Sequence, residues 1–362
     1  MDQKVGIEEI DKNFALGGVV QTDVEWIDAC DERFSLHGVY YDENEGEFRR
    51  MPKKIAETVS EGVYYLSHHT AGGRLRFQTN SPYLAIKCVE PSGGTMGHMP
   101  FSGSHGFGLF EGERFCGGYI PSVEQAVGNT NGEFAFDGVK IFDGKVHDFT
   151  LFFPLYNGVK RLYIGIKKGS DLLPAKKYTY QKPVVFYGSS ITQGGCASTP
   201  GNDYIGLLSK RLDTDVVNLG FSGNAKGEQT MCDYLADLDA SVFVMDYDHN
   251  APNVEHLQNT HYNLYQTLRK KNPTTPIIMM TRPDFYENAD CVERRTVVYS
   301  TYQRAKKEGD KLVSFIDGET LFEKIGRNVC TVDGCHPTNA GFLGMANTIY
   351  PILKKVLKKY AK

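Results

Sequence analysis

The chain has 362 residues, 41% of them hydrophobic and 23% charged, and a formal net charge of −4. That is material for a core of ordinary size and a length that suggests two domains. The weak negative charge gives no electrostatic reason to hold nucleic acid or an anionic membrane, and no apolar run is long enough to cross a bilayer. Residues 1–14 lack the basic start and apolar stretch of a secretory signal, so a cytoplasmic location is expected. The eight cysteines form no CxxC pair and the ten histidines show no metal-binding spacing, His68-His69 being the one doublet. Reduced thiols, no metal and no cofactor are the expectation.

Residues 1–180 read as an all-β, jelly-roll-like sandwich. Short β-branched and aromatic runs at Val63 to Leu66, Leu75 to Phe77, Tyr83 to Cys88, Gly108 to Phe110, Phe149 to Phe153 and Leu162 to Ile166 are separated by Gly, Asn and Pro turn signals, with no convincing helix. Gly93 to Gly108 is long for a hairpin loop and reads either as a cover over the pocket, with His98 or His105 near a bound substrate, or as a mobile surface loop. The polar stretch Lys167 to Lys182 is the expected linker.

Residues 181–362 change rhythm. Strands are expected at Val184 to Tyr187, Val216 to Leu219, Ser241 to Met245, Pro276 to Met280 and Leu312 to Ile316. Helices are expected at Asp203 to Leu212, Thr230 to Leu238, Val254 to Lys271, Val292 to Lys307 and Ala340 to Lys359. This alternation implies a parallel sheet covered on both faces, with active groups at the carboxyl ends of its strands.

Four motifs fall at such ends. Gly188-Ser189-Ser190-Ile191-Thr192-Gln193-Gly194 follows the first strand, and a serine hydroxyl there needs a base and an oxyanion site to react. Asn218 to Asn224 follows the second strand and carries Gly223, whose bare backbone approaches a ligand closely. Asp246 to Asn250 follows the third, and Asn250 can offer a side-chain N–H. Asp333-Gly334-Cys335-His336 precedes the last helix, a spacing that puts a carboxylate and an imidazole on one tight turn. Each motif alone is compatible with a plain turn or a helix cap; the order of all four is what one mechanism requires.

That order over residues 183–362 resembles the SGNH (GDSL) hydrolases. The resemblance implies a three-layer, flavodoxin-like α/β/α domain. It implies Ser190 as nucleophile, with His336 and Asp333 completing the triad, and an oxyanion hole from Gly223, Asn250 and the Ser190 N–H. Two positions depart from the family pattern. Ser189 stands where the family has aspartate, and Ala251 follows Asn250 where the family has a carboxylate. A preceding β-sandwich makes the layout similar to carbohydrate esterase family two and to some tailoring acyltransferases.

The resemblance implies hydrolysis of short acyl esters, acetyl foremost, on a small molecule or oligosaccharide. Transfer of the acyl group to an alcohol and non-catalytic carbohydrate binding are the alternatives, and the oligomeric state is open. His98, His105 and His249 are the candidates for substrate contact. With His336 as base, turnover should fall as the imidazole protonates; a pH–rate profile flat between about pH 8 and about pH 5 would overturn that assignment.

Overall fold

In the computed structural model, which describes residues 21–128, 132–283 and 289–361, the first half of the chain forms two packed antiparallel sheets. Its strands are β1 (Val24–Asp28), β2 (Ser35–His37), β3 (Tyr40–Asp42), β4 (Glu47–Arg49), β5 (Arg74–Thr79) and β6 (Tyr83–Pro91). They continue with β7 (Phe107–Glu111), β8 (Arg114–Tyr119), β9 (Glu133–Ile141), β10 (His147–Phe152), β11 (Arg161–Lys167) and β12 (Leu172–Pro174). One sheet runs β1-β11-β6-β9; the other runs β12-β5-β10-β7-β8, with β2 also on β5; β3 and β4 pair only with each other, as a separate two-stranded ribbon. Alternation along the strands turns Ile27, Leu84, Ile86, Leu162 and Ile164 of the first sheet onto Leu75, Phe77, Phe107, Leu109 and Phe149 of the second, in one buried cluster.

The second half is a parallel sheet of β13 (Tyr180–Gly188), β14 (Thr214–Gly220), β15 (Val242–Asp246), β16 (Ile277–Met280) and β17 (Val313–Ile316). Its order is β14-β13-β15-β16-β17, the doubly wound arrangement expected. Strand β13 shows why both faces are covered. Val185 and Tyr187 point into a cluster with Met231, Leu235, Leu257, Leu264 and Val298, from the helices at Gln229–Asp237, Val254–Lys271 and Ala289–Lys307. Val184 and Phe186 point the other way, onto Ile205, Leu208, Phe342 and Met345 of the helices at Tyr204–Leu212 and Asn339–Tyr360.

Register sets the site. Gly188 at the end of β13 lies opposite Gly220 of β14 on one side and Asp246 of β15 on the other. The three following loops therefore start at one level, and this is where Ser190, Gly223 and Asn250 arise.

Three readings of the first half are corrected. Val63 to Leu66 is not a strand: Glu61–Leu66 is a helix, capped by Ser60, whose hydroxyl accepts the Val63 N–H at 3.1 Å. Short helices also occupy Lys53–Val59, Phe101–Ser104 and Val123–Gly128, so this half is not free of helix. The apolar run is ambiguous because Val63 and Leu66 share a helical face, which packs with Met51 and Ala56 into the cluster of the parallel sheet, outside the sandwich. The stretch read as a linker carries β12, paired with β5, and the start of β13.

The two halves meet through buried cations. The fully buried Arg50 donates to the carbonyls of Leu66, of Asn218 at 3.2 Å and of Gly220 at 2.7 Å, with Phe221 under its guanidinium. Arg74 on β5 donates to Asp215 and to the Val216 carbonyl on β14, while His37 on β2 bonds the other Asp215 oxygen at 3.0 Å. Met51 is wholly buried in the shared cluster. Met51→Ala should lower the unfolding free energy in urea by about 2–5 kcal/mol; a loss under about 0.5 kcal/mol, the size of a surface change, would show that this contact does not stabilise the fold.

Candidate functional site

The turn after β13 is shaped by close packing. A Cβ on Gly188 would lie 2.1 Å from Thr192 Oγ1 and 2.2 Å from the Asp246 carbonyl oxygen, so only glycine fits. The chain then enters the short helix Ser190–Gln193 through a reciprocal cap. Ser189 Oγ accepts the Ile191 N–H at 3.2 Å, and Thr192 Oγ1 accepts the Ser189 N–H at 3.1 Å. The Thr192 hydroxyl donates onward to Asp246 Oδ2 at 2.8 Å, and Tyr204 donates to the same oxygen at 2.9 Å. Burial, then the nearby Asp248, pushes the Asp246 carboxyl well above the usual carboxylate range.

Ser190 is only 5% exposed. Its Oγ lies 2.9 Å from His336 Nε2, and His336 Nδ1 lies 2.7 Å from Asp333 Oδ2. The other Asp333 oxygen accepts the backbone N–H groups of Cys335 at 2.9 Å and His336 at 2.7 Å. Burial acts to raise the Asp333 pKa, but the His336 ring and these two N–H groups outweigh it and hold the carboxyl down at about 2. The turn is closed by the Val332 N–H on the His336 carbonyl at 3.0 Å, and Thr338 caps the helix that follows. The three residues singled out in the sequence thus form one chain of contacts: hydroxyl, imidazole, carboxylate.

The expected oxyanion donors come from the neighbouring loops. Gly223 has φ +69°, a left-handed conformation, and among the described residues its N–H and that of Ser190 have no hydrogen-bond partner. Asn250 Nδ2 donates one hydrogen to the Phe221 carbonyl at 2.8 Å, which anchors the amide and leaves its second N–H available. Arg294 steadies that loop from below, donating to the carbonyls of Asp248 and Ala251 at 2.7 Å each.

The three histidine candidates lie in different places. His98, on the glycine-rich stretch, packs on His336 with ring centroids 5.2 Å apart. His98, Asp333 and His336 also make the one group of three metal-type donors within 4.8 Å among the described residues. Both His336 nitrogens are engaged, by Ser190 and Asp333, and His98 meets His336 by ring packing. His105 is 2% exposed, bonded to Ser104 Oγ at 2.9 Å and stacked on Phe101. His249 lies behind the triad turn, its Nε2 3.2 Å from the Cys335 sulfur. Burial first, then the nearby Arg282 and His336, pushes it down to about 3.

Gln193, part of the serine motif, has a role that its place in the motif does not announce. Its Nε2 donates to the Leu155 carbonyl and to His69 Nδ1, both at 3.0 Å, while its Oε1 accepts the Ser222 N–H at 3.1 Å. One amide thus links the nucleophile turn, the loop carrying Gly223 and the sandwich half of the chain. Its place three residues after Ser190 was visible; its long-range partners were not. Asn250→Ala should lower kcat on any turned-over ester by about 10²- to 10³-fold; a rate within twofold of wild type would remove Asn250 from the oxyanion hole.

Comparisons with known proteins agree with this layout. Residues 181–354 match the profile of the GDSL-like lipase/acylhydrolase family, and residues 24–172 match one described as the N-terminus of Esterase SGNH hydro-type. No curated protein sequence matches. Among solved structures, the chain is similar to a protein from Bacteroides ovatus ATCC 8483 described as a GDSL-like lipase. The two are 26% identical with a TM-score of 0.80, over 92% of this chain and 98% of that one. It is also similar in fold to the salicylyl-acyltransferase SsfX3 from a tetracycline biosynthetic pathway, at 18% identity and TM-score 0.76, over 94% of this chain and all (100%) of that one. A family two carbohydrate esterase from Clostridium thermocellum, solved with cellohexaose, shares the fold at 13% identity and TM-score 0.61, over 90% of this chain and 99% of that one.

Proposed function

Since residues 181–354 belong to the GDSL-like lipase/acylhydrolase family, we propose that the protein is a serine carboxylic-ester hydrolase that removes short acyl groups, acetyl foremost, from a carbohydrate. The observation that carries this reading is the unbroken contact from Ser190 Oγ through His336 to Asp333, at 2.9 and 2.7 Å.

In this reading neutral His336 takes the Ser190 proton on Nε2 as Oγ bonds to the ester carbonyl carbon. Asp333 holds the tautomer with the proton on Nδ1 and stabilises the imidazolium as it forms. Negative charge gathers on the carbonyl oxygen, which would take the N–H groups of Ser190, Gly223 and Asn250 as donors. The carbon–oxygen bond to the alcohol then breaks, and His336 gives its proton to the departing alkoxide. Water repeats the sequence: its proton goes to His336, its oxygen to the acyl carbon, and the serine leaves reprotonated with the free acid as product. The Asp333 carboxyl is held down at about 2, so it remains an anionic partner for the imidazole at neutral and mildly acidic pH.

The carbohydrate part rests on the shared two-domain layout with family two carbohydrate esterases. An alcohol in place of water at the second step gives the acyltransferase with no change in the residues used. The test is release of acetate from a panel of acetylated oligosaccharides, followed by NMR with and without an added acceptor alcohol. Wild type should release acetate, and Ser190→Ala should lose at least about 10³-fold in rate. Acyl transfer to the acceptor without acetate release would replace hydrolysis by transfer. Turnover that survives Ser190→Ala would remove the serine mechanism.

A further inference from the structure

Beside the proposed oxyanion site lies a cavity of about 250 Å³ that the mechanism above does not use. It is bounded by Ser222 and Asn224, the residues on either side of Gly223, and by Tyr65, His69, His105 and Tyr156 from the sandwich half, with Met96 and Met99 of the glycine-rich stretch across the opening. Its wall touches the nucleophile turn, where the Tyr156 hydroxyl donates to the Ser190 backbone carbonyl at 3.0 Å.

The hydrogen bonds around Gln193 settle which way His69 faces chemically. The Gln193 oxygen must be the atom that accepts the Ser222 N–H, and its nitrogen the one that donates to the Leu155 carbonyl; the reverse would set donor on donor and acceptor on acceptor. The remaining amide hydrogen points at His69 Nδ1, which is therefore the acceptor nitrogen of the ring. The His69 proton sits on Nε2. His69 is 7% exposed, wedged between the rings of Tyr65 and Tyr156, and among the described residues Nε2 has no partner. This N–H is not sealed inside the protein: it opens on the cavity, where an acceptor on a bound molecule can take the hydrogen bond that water otherwise accepts.

No lining residue is Asp, Glu, Lys or Arg. Burial pushes His69 down to about 3, with Arg50 adding to it, and His105 down to about 4, so both imidazoles are uncharged at neutral pH. A carboxylate or phosphate would find no charged side chain to pair with on these walls, Arg50 being enclosed behind them with its N–H groups on backbone carbonyls. Aromatic and methionine walls suit the faces of a ring, and the volume exceeds what an acetyl group fills. We infer that this cavity is a subsite for an uncharged, oxygen-bearing ring of the ester, and that the His69 Nε2–H donates to an oxygen of that ring. The inference rests on the esterase reading and deepens it: a sandwich residue, held by an amide of the nucleophile helix, reads the substrate. The ring can belong to the alcohol half, as in a sugar, or to the acyl half, as in a hydroxybenzoate.

Two substrate pairs separate these sources. An acetylated methyl glucopyranoside against cyclohexylmethyl acetate varies ring oxygens on the alcohol side; ethyl salicylate against ethyl benzoate varies them on the acyl side. In wild type, kcat/KM should favour the oxygenated member of one pair. His69→Phe should cut that preference by about 3- to 10-fold, and His69→Gln, which keeps an N–H near the same point, should restore part of it. The affected pair identifies the half that sits in the cavity. An unchanged preference for both pairs in His69→Phe, or an equal fall in kcat/KM for both members of each pair, overturns the inference. Ethyl acetate turnover that depends on Ser190 tests the parent reading separately. If His69→Phe does not fold, nitrogen NMR of the wild-type imidazole decides: methyl glucopyranoside or salicylamide should shift His69 Nε2, and no shift with either overturns the inference.

Discussion

Arg50 is enclosed where the sandwich meets the parallel sheet, and its guanidinium is the donor for carbonyls of Leu66, Asn218 and Gly220. Burial pulls its pKa down to about 9, which still leaves it cationic at neutral pH. The arrangement is directional: a buried cation surrounded by carbonyl dipoles tolerates little displacement, because each lost contact leaves both a charge and an acceptor unmet. Two of those carbonyls belong to the last turn of β14, just before the loop that carries Gly223. The position of that loop, and of everything opposite it on the sandwich side, follows from where Arg50 can sit.

Most of the second half could be read from periodicity. The helix at Val254–Lys271 and the strand at Ile277–Met280 fall within a residue of expectation. Their apolar positions recur at spacings that only one kind of element can bury, and Pro273 closes the helix. The candidate triad was legible for a related reason. A serine and a D-x-x-H turn at strand ends are local patterns, and the parallel topology then dictates that strand ends converge.

The first half resisted the same treatment. Val63 to Leu66 is short, apolar and β-branched at its start, so its residues suit a strand as well as a helix turn. What decides it is the Ser60 cap and a burial partner in the other half of the chain, which no local window contains. His69 and Gln193 escaped for a stronger version of that reason. Gln193 sits inside the serine motif and His69 in a doublet, but neither pattern assigns a role; their meaning lies in a contact across more than a hundred residues. The glycine-rich stretch was rightly singled out as unusual, yet it is partly built, with a helical turn at Phe101–Ser104 and His105 buried beneath it.

The departure at Ser189 has a structural answer. The hydroxyl caps the helix start as an aspartate would, and the buried Thr192–Asp246–Tyr204 group below it adds no exposed charge under the nucleophile. The seam at Arg50 and Met51 bears on how the chain can be divided. Cutting near residue 175 would strip the helix at Glu61–Leu66 from the flank of the parallel sheet and leave the β14 carbonyls without their donor. The sandwich is therefore no detachable appendage. It acts as a wall of the other half, and an excised α/β fragment would face water with an apolar scar where that wall had been.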